Sequence, residues 1–291
     1  MLETLPRSFG THNGSFHADE VTACALLLLF NLIDRDKIVR SRSPDELNSC
    51  EFVCDVGGIY NPDIKRFDHH QVDYKGTLSS AGMILKYLVD SKTITPEEFN
   101  LLNQTLIAGV DAHDNGIETA GPGISTYSMV IGNFAPIEHE ASDEEWDSSF
   151  EEALDLALGH LKRLVARYRY ILSCREQVKD AMAEKKPVLI FEKSIPWMDN
   201  FFAMNGENHP AKFVIMPSGK HWKLRGIPPN LQQRMQVRKP LPLEWAGLLG
   251  DELKKVTGIK GSIFCHKGRF ISVWETKEDA IKALKLCLEE S

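Results

Sequence analysis

The stretch Ser8-Phe9-Gly10-Thr11-His12-Asn13-Gly14-Ser15-Phe16-His17-Ala18-Asp19-Glu20-Val21 decides the fold. A short extended segment, Ser8–Thr11, breaks into a loop carrying two histidines, and a helix is predicted from Asp19 to Asp34. Acidic residues in its first turn complement the positive end of the helix dipole. This helix holds the longest apolar run of the chain, Val21 to Ile33. A bilayer span needs about 20 residues, so the run reads as a buried helix.

The same strand-to-loop pattern recurs downstream. Lys37–Arg42 and Glu51–Asp55 read as strands, and Arg66–His69 ends a shorter extended segment. Helices are predicted at Ser79–Asp90 and from the capping box Thr95-Pro96-Glu97-Glu98 to about Val110. Such alternation implies a parallel sheet with helices on both faces, with ligands bound beyond the carboxyl ends of the strands. A second capping box, Ser142 to Glu145, opens a long periodic helix that extends through Lys186, and Pro187 marks a boundary. Beyond it, strands are expected at Val188–Glu192, Lys212–Met216, His221–Ile227, Ser262–His266 and Phe270–Val273, with a turn at Ser218-Gly219. Helices are expected at Leu243–Val256 and Thr276–Glu289. The fold class is therefore α/β: a parallel-sheet catalytic domain over residues 1–186, with a smaller α+β domain over residues 187–291.

Composition narrows the function class. With 291 residues, 43% of them apolar and 26% charged, the chain suits two folded domains rather than a disordered segment. Met1 to Gly10 lacks a charged-then-apolar signal pattern, which makes the cytoplasm the default location, with no membrane partner. The six cysteines are scattered, so buried reduced thiols are expected rather than a disulfide framework. Cys50 and Cys54 form a lone C-x3-C, short of the four ligands that a closed zinc site needs. Charge is uneven. Residues 1–186 carry 18 Lys and Arg against 30 Asp and Glu, whereas residues 187–291 carry 16 against 11. Acidic groups in the first part can hold cations and basic groups in the second an anionic substrate; both sets can equally lie on solvated faces.

Four clusters stand where an apolar stretch gives way to loop: His12 to Asp19, Asp55 after Val53-Cys54, Asp68-His69-His70-Gln71, and Asp111 in Val110-Asp111-Ala112-His113-Asp114. A lone carboxylate at the end of an apolar strand is costly to bury without a proton, a partner or a metal. Two divalent ions about 3.5–4 Å apart, sharing one carboxylate, are held by such a set. His12, His17 and Asp55 can serve one ion, and Asp19, Asp55, His69 and Asp111 the other. Mixed imidazole and carboxylate ligation favours manganese, with magnesium or zinc as alternatives.

The segments Thr11–Glu20, Asp55–Gln71 and Asp111–Gly116 closely resemble those of the melanocyte-proliferating-gene-one family, a DHH-like group of phosphoesterases. The likeness continues through Arg40–Arg42, Trp222–Pro228 and Trp245-Ala246-Gly247-Leu248 with Gly258. It implies a metal-binding DHH-type domain, a substrate-gripping second domain, and exonuclease action on RNA from the 3′ end. Related enzymes cleave short oligonucleotides, nucleotide phosphates or pyrophosphate. After Phe264-Cys265-His266 the family's paired glycines are missing, and the chain reads Gly268-Arg269-Phe270-Ile271-Ser272-Val273.

These readings give a two-metal phosphodiester hydrolase in which the ions activate water. Asp68 is expected to orient His69, and His70 to touch the phosphoryl group. Arg225, His266, Lys267 and Arg269 are the candidates for gripping RNA, a short oligonucleotide or a nucleotide; each is equally readable as solvated surface. A small-molecule phosphatase or pyrophosphatase, and a non-catalytic metal-stabilised nucleic-acid-binding protein, are the competing readings. A homo-oligomer is compatible with all of them.

Overall fold

The computed structural model describes residues 4–117, 120–138 and 140–289, and the chain divides into two compact units between Ala166 and Arg167. The sequence puts this boundary at Pro187. The difference has a packing cause, because Cys174 and Val178 are buried with Leu189, Phe191 and Phe201 of the second unit.

In the first unit, strands β1 (Leu5–Thr11), β2 (Ile38–Arg40), β3 (Cys50–Cys54), β4 (Tyr60–Asn61) and β5 (Arg66–Phe67) form one sheet in the order β2-β1-β3-β5-β4. All pairings are parallel except β4 with β5. The carboxyl ends of β1, β3 and β5 therefore lie along one edge, and they deliver His12, Asp55 and Asp68. Side chains alternate over Phe52–Cys54: Phe52 and Cys54 enter the main core with Phe9 and Phe67, while Val53 enters a small cluster with Leu47 and with Cys50 at the start of the strand. The main core is built with helices α1 (Ala18–Leu29), α3 (Ser80–Asp90) and α7 (Asp143–Ser173), whereas the opposite face receives the short α2 (Pro44–Ser49).

Two helix ends differ from expectation. Helix α1 stops at Leu29, not Asp34. Asn31 adopts φ +59°, and Leu32 N–H and Asn31 N–H donate to the carbonyls of Leu27 and Leu28, at 2.9 and 3.1 Å, closing a Schellman motif. The long helix α7 starts at its capping box, where the amides of Ser142 and Glu145 bond each other's side chains. It does not reach Lys186, because the chain breaks at Cys174 and resumes as α8 (Arg175–Ala183). The capping box at Thr95 opens α4 (Pro96–Leu102), and a π-helical turn at Asn103–Ile107 carries the chain into α5 (Ala108–Asp114). That helix is followed, after residue 120, by α6 (Tyr127–Gly132).

The second unit holds a second sheet in the order β6-β7-β8-β10-β9, comprising β6 (Val188–Ile190), β7 (Phe213–Ser218), β8 (His221–Gly226), β9 (Ser262–Cys265) and β10 (Ile271–Trp274). Only β6 with β7 is parallel, and the turn at Gly219 makes β7 and β8 a hairpin with Ser218 opposite His221. Helices α10 (Gly250–Thr257) and α11 (Lys277–Glu289) help bury Trp245, Trp274, Phe213 and Leu224 on one face; α8 and α9 (Met198–Ala203) close the core on the other. The helix expected over Leu243–Val256 is a single 3-10 turn, Leu243–Trp245, followed by α10. Between them Gly247, at φ +78°, leaves helical geometry.

All six cysteines are buried thiols, with no disulfide among the described residues. No helix among the described residues is long and apolar enough to cross a membrane.

Candidate metal centre

The His12–His17 loop is shaped from outside and inside. The Arg40 side chain is 4% exposed and donates to the Gly14 carbonyl at 2.5 Å. It also pairs with Asp147 at 2.6 Å and lies 4.7 Å over the Phe150 ring, so the loop is tied to α7. On the inner side, the backbone N–H of His17 donates to both carboxylate oxygens of Glu20, at 2.9 and 3.0 Å. This fixes where α1 begins and turns His17 and Asp19 toward the sheet edge. Asp55 follows β3 directly and adopts φ +59°. A left-handed conformation outside glycine is uncommon, and Asp is one of the few residues that adopt it with modest penalty.

These elements gather donor atoms into three overlapping groups, each with its atoms within 4.8 Å of one another: His12, His17, Glu20 and Asp55; Asp55, His69 and His70; and His17, Asp19 and Asp114. Asp55 links the first two groups. Its Oδ2 lies 3.2 Å from His12 Nε2, and its Oδ1 lies 3.3 Å from His69 Nε2. His69 Nε2 is also 3.0 Å from Asp114 Oδ2. The amino end of α3 supports the acids: Ser80 N–H donates to Asp19 Oδ2 at 3.3 Å, and Ser80 Oγ to Asp55 Oδ1 at 3.4 Å. Orphan amides and the helix dipole favour negative charge there.

Charge density in this nest shifts proton affinities strongly. Burial works against a charged His12, but hydrogen bonds to Asp55 and Glu20 outweigh it and raise its pKa to about 10. The carboxylates of Asp114 and Asp55 raise His69 to about 10 as well. Burial, then the neighbouring Glu20, Asp55 and Asp114 charges, push Asp19 well above the usual carboxylate range. Burial opposes ionisation of Asp55, yet its two histidine partners hold it below that range. Protons at His12, His69 and Asp19 compete with any divalent cation for these donor atoms. Two buried atoms here, Asp19 Oδ1 and His69 Nε2, make no hydrogen bond of good geometry, although carboxylates surround the imidazole nitrogen. Buried polar atoms left in this way are rare, and a cation fits such an imidazole nitrogen and carboxylate oxygen.

Of the six ligands expected from sequence, His12, His17, Asp19, Asp55 and His69 are brought together. Asp111 stands outside all three groups. Its Oδ1 accepts from Ser79 N–H at 3.0 Å, Ser79 Oγ–H at 2.7 Å and Gly82 N–H at 3.1 Å, so it caps α3 from another helix. Asp114, one turn along α5, stands in the third group, and Glu20 stands in the first. Asp68 also differs from expectation. It binds His70, not His69: its Oδ1 accepts from His70 Nδ1 at 2.8 Å and from His70 N–H at 3.0 Å, while its Oδ2 accepts from Gly58 N–H at 2.6 Å. His70, 62% exposed at its side chain, lines a cavity of about 240 Å³ with His12, His17, Ser15, Arg42 and Asp55.

In the second unit Arg225 lies on β8 opposite Val214 and Ile271, half-buried and with no ion pair among the described residues. His266 Nδ1 accepts from Gly268 N–H at 2.9 Å, and the His266 ring lies 4.4 Å from the Phe270 ring. Lys267 is exposed in the same turn. Arg269 adopts φ +55° and its Nη1 donates to the Leu241 carbonyl at 3.3 Å.

Residues 8–288 match the family model for the MYG1 exonuclease group, described as Uncharacterised protein family (UPF0160). A MYG1 protein of Chlamydia pneumoniae is 51% identical over 286 residues, 98% of either chain. The MYG1 exonuclease of Mus musculus is 31% identical over 326 aligned positions, which cover 98% of this chain and 86% of that protein. A solved structure, RecJ of Thermus thermophilus in complex with Mn2+, aligns at 13% identity and a TM-score of 0.29, covering 98% of this chain and 52% of RecJ.

Proposed function

The chain belongs to the MYG1 exonuclease family (UPF0160), and from that premise we propose that it is a metal-dependent phosphodiester hydrolase that removes nucleotides from the 3′ end of RNA. The observation that carries the proposal is the convergence of His12, His17, Asp19, Asp55 and His69, from three separate stretches, with Asp114 on a nest whose buried Asp19 Oδ1 and His69 Nε2 lack well-formed hydrogen bonds. His12, His17 and Asp55 would hold one divalent ion; Asp19, Asp55, His69 and Asp114 would hold the other. Manganese suits this mixture of donors. When bound, such a pair lowers the pKa of water and neutralises phosphoryl charge.

The chain's own groups supply the rest. Glu20 fixes the His17 backbone, and Arg40 fixes the loop between the two histidines. With His70 Nδ1 donating to Asp68, the imidazolium form has Nε2–H left to donate to a phosphoryl or leaving oxygen in the cavity. Asp68 acts as a positioning residue through this bond. Replacing His70 with Ala is expected to lower kcat about 100-fold, with KM within about twofold and metal content unchanged. Asp68→Asn should reproduce the kcat loss in part, again without a large KM change. A rise in KM at constant kcat would assign both residues to substrate binding instead.

The direct test incubates the purified protein with manganese and a single-stranded RNA labelled at its 5′ end. A ladder shortening one nucleotide at a time, lost with a chelator and restored by manganese, is the expected result. Phosphate release from mononucleotides or pyrophosphate with the RNA left intact would replace the nuclease reading with that of a small-molecule phosphatase.

A further inference from the structure

A second cavity of about 460 Å³ abuts the metal-site cavity, and the two share Arg42, Val56 and Gly57. It occupies the sheet face that α2 covers incompletely. Leu47, Val53, Val56 and the 48% exposed Ile59 give it an apolar lining, and Arg42 and Arg66 supply positive charge. Neither arginine has a carboxylate partner among the described residues; Arg66 donates to the carbonyls of Cys50, Glu51 and Ile64. The floor is tied to the chemistry. Asp68 N–H donates to the Ile59 carbonyl at 3.0 Å, and Gly58 N–H donates back to the Asp68 carboxylate.

An apolar slot of this size, with cations and no acids, running into a phosphodiester site, matches a particular ligand chemistry. A nucleobase has two apolar faces and is joined through its sugar to a phosphate. An inorganic di- or oligophosphate would leave the apolar lining unused. We propose that this groove is a nucleoside subsite: it takes the base and sugar attached to the scissile phosphate, against Leu47, Val56 and Ile59, while Arg42 contacts a phosphate at the junction of the two cavities. The inference rests on the hydrolase reading and adds to it a place on the first sheet where the nucleotide is held through its base as well as its phosphate.

Titration calorimetry on the manganese-loaded protein with adenosine 5′-monophosphate and with ribose 5-phosphate tests the groove without turnover. The nucleotide should bind at least about tenfold more tightly, since the two probes share the phosphate and sugar and differ only in the base. Ile59→Asp should reduce that ratio to within about twofold, weakening the nucleotide more than ribose 5-phosphate. Asn48→Trp, at an exposed position lining the groove, should do the same by filling it, and covers the case in which the aspartate disturbs folding. Equal affinity of the two probes for the parent protein would overturn the subsite. So would an undiminished ratio in both folded variants, or a dimer that Asn48→Trp dissociates with no base preference. Oligonucleotide turnover on the same samples reports the hydrolase reading separately: base preference without turnover keeps the groove and removes the hydrolase.

Discussion

Asp55→Asn should lose hydrolysis by at least about 10³-fold and retain at most one equivalent of manganese. The substitution isolates charge from backbone. Asp55 sits at φ +59°, a conformation that asparagine also adopts readily, whereas alanine there would add strain. What asparagine lacks is the negative charge and the second oxygen. In the native protein each oxygen faces a different histidine, Oδ2 toward His12 and Oδ1 toward His69, at 3.2 and 3.3 Å. Among the described residues, no other carboxylate belongs to both of these donor groups. Thermal unfolding provides a second readout. A ligand present at 100 times its Kd stabilises by about 2.7 kcal/mol, so manganese should raise the parent's Tm clearly and raise that of Asp55→Asn much less. A variant with two bound ions and parental turnover would show that Asp55 does not bridge them.

The sheet edge that collects these groups is legible in the sequence because His12, Asp55 and Asp68-His69 stand where apolar strands stop. Val53-Cys54-Asp55 reads as a buried strand ending in a carboxylate, and it folds as one. Capping boxes at Thr95 and Ser142 mark real helix starts for the same reason: both depend on contacts three residues apart. Helix ends are less legible. The apolar pattern runs on through Leu32 and Ile33, yet the helix has already ended at Leu29, and Ile33 is buried in non-helical form. At Cys174 there is neither Gly nor Pro to announce a break. The cysteine turns into the second core, and that tertiary contact overrides the local period. The short helix α2, which leaves part of the first sheet uncovered, carries no periodic signal over its six residues.

The choice between Asp111 and Asp114 shows the same limit at the site. Both are acidic, one helical turn apart, and both follow an apolar run. Residues three apart share a helix face, so spacing cannot separate their roles. The discriminating residue is Gly82, on a different helix. A Cβ there would collide with the Asp111 carboxylate, so glycine is what lets Asp111 reach the amino end of α3. An isolated glycine inside a helical pattern is a sequence cue to close approach. Its partner, however, is 29 residues away along the chain.

This division of labour predicts opposite phenotypes for two aspartates of one helix. Asp111→Ala should destabilise the protein by about 2–4 kcal/mol, since it removes three hydrogen bonds to one buried carboxylate oxygen and leaves the Ser79 and Gly82 amides without their acceptor. Gly82→Ala should destabilise comparably, because the added methyl meets the same carboxylate and either the helix or the acid must move. Asp114→Ala should behave otherwise. Burial raises the pKa of both Asp19 and Asp111, and the Asp114 charge adds to it, so in the metal-free protein Asp114 opposes ionisation of its neighbours. Losing it relieves repulsion while costing the His69 contact, and the metal-free Tm should stay close to the parent's. Manganese binding and turnover should nevertheless fall, by about 10²-fold or more in rate. Denaturant melts with and without manganese, read beside metal content, separate the two roles. If Asp111→Ala keeps parental stability and loses metal while Asp114→Ala keeps both metal and rate, Asp111 is the ligand and the α3 cap is incidental to folding.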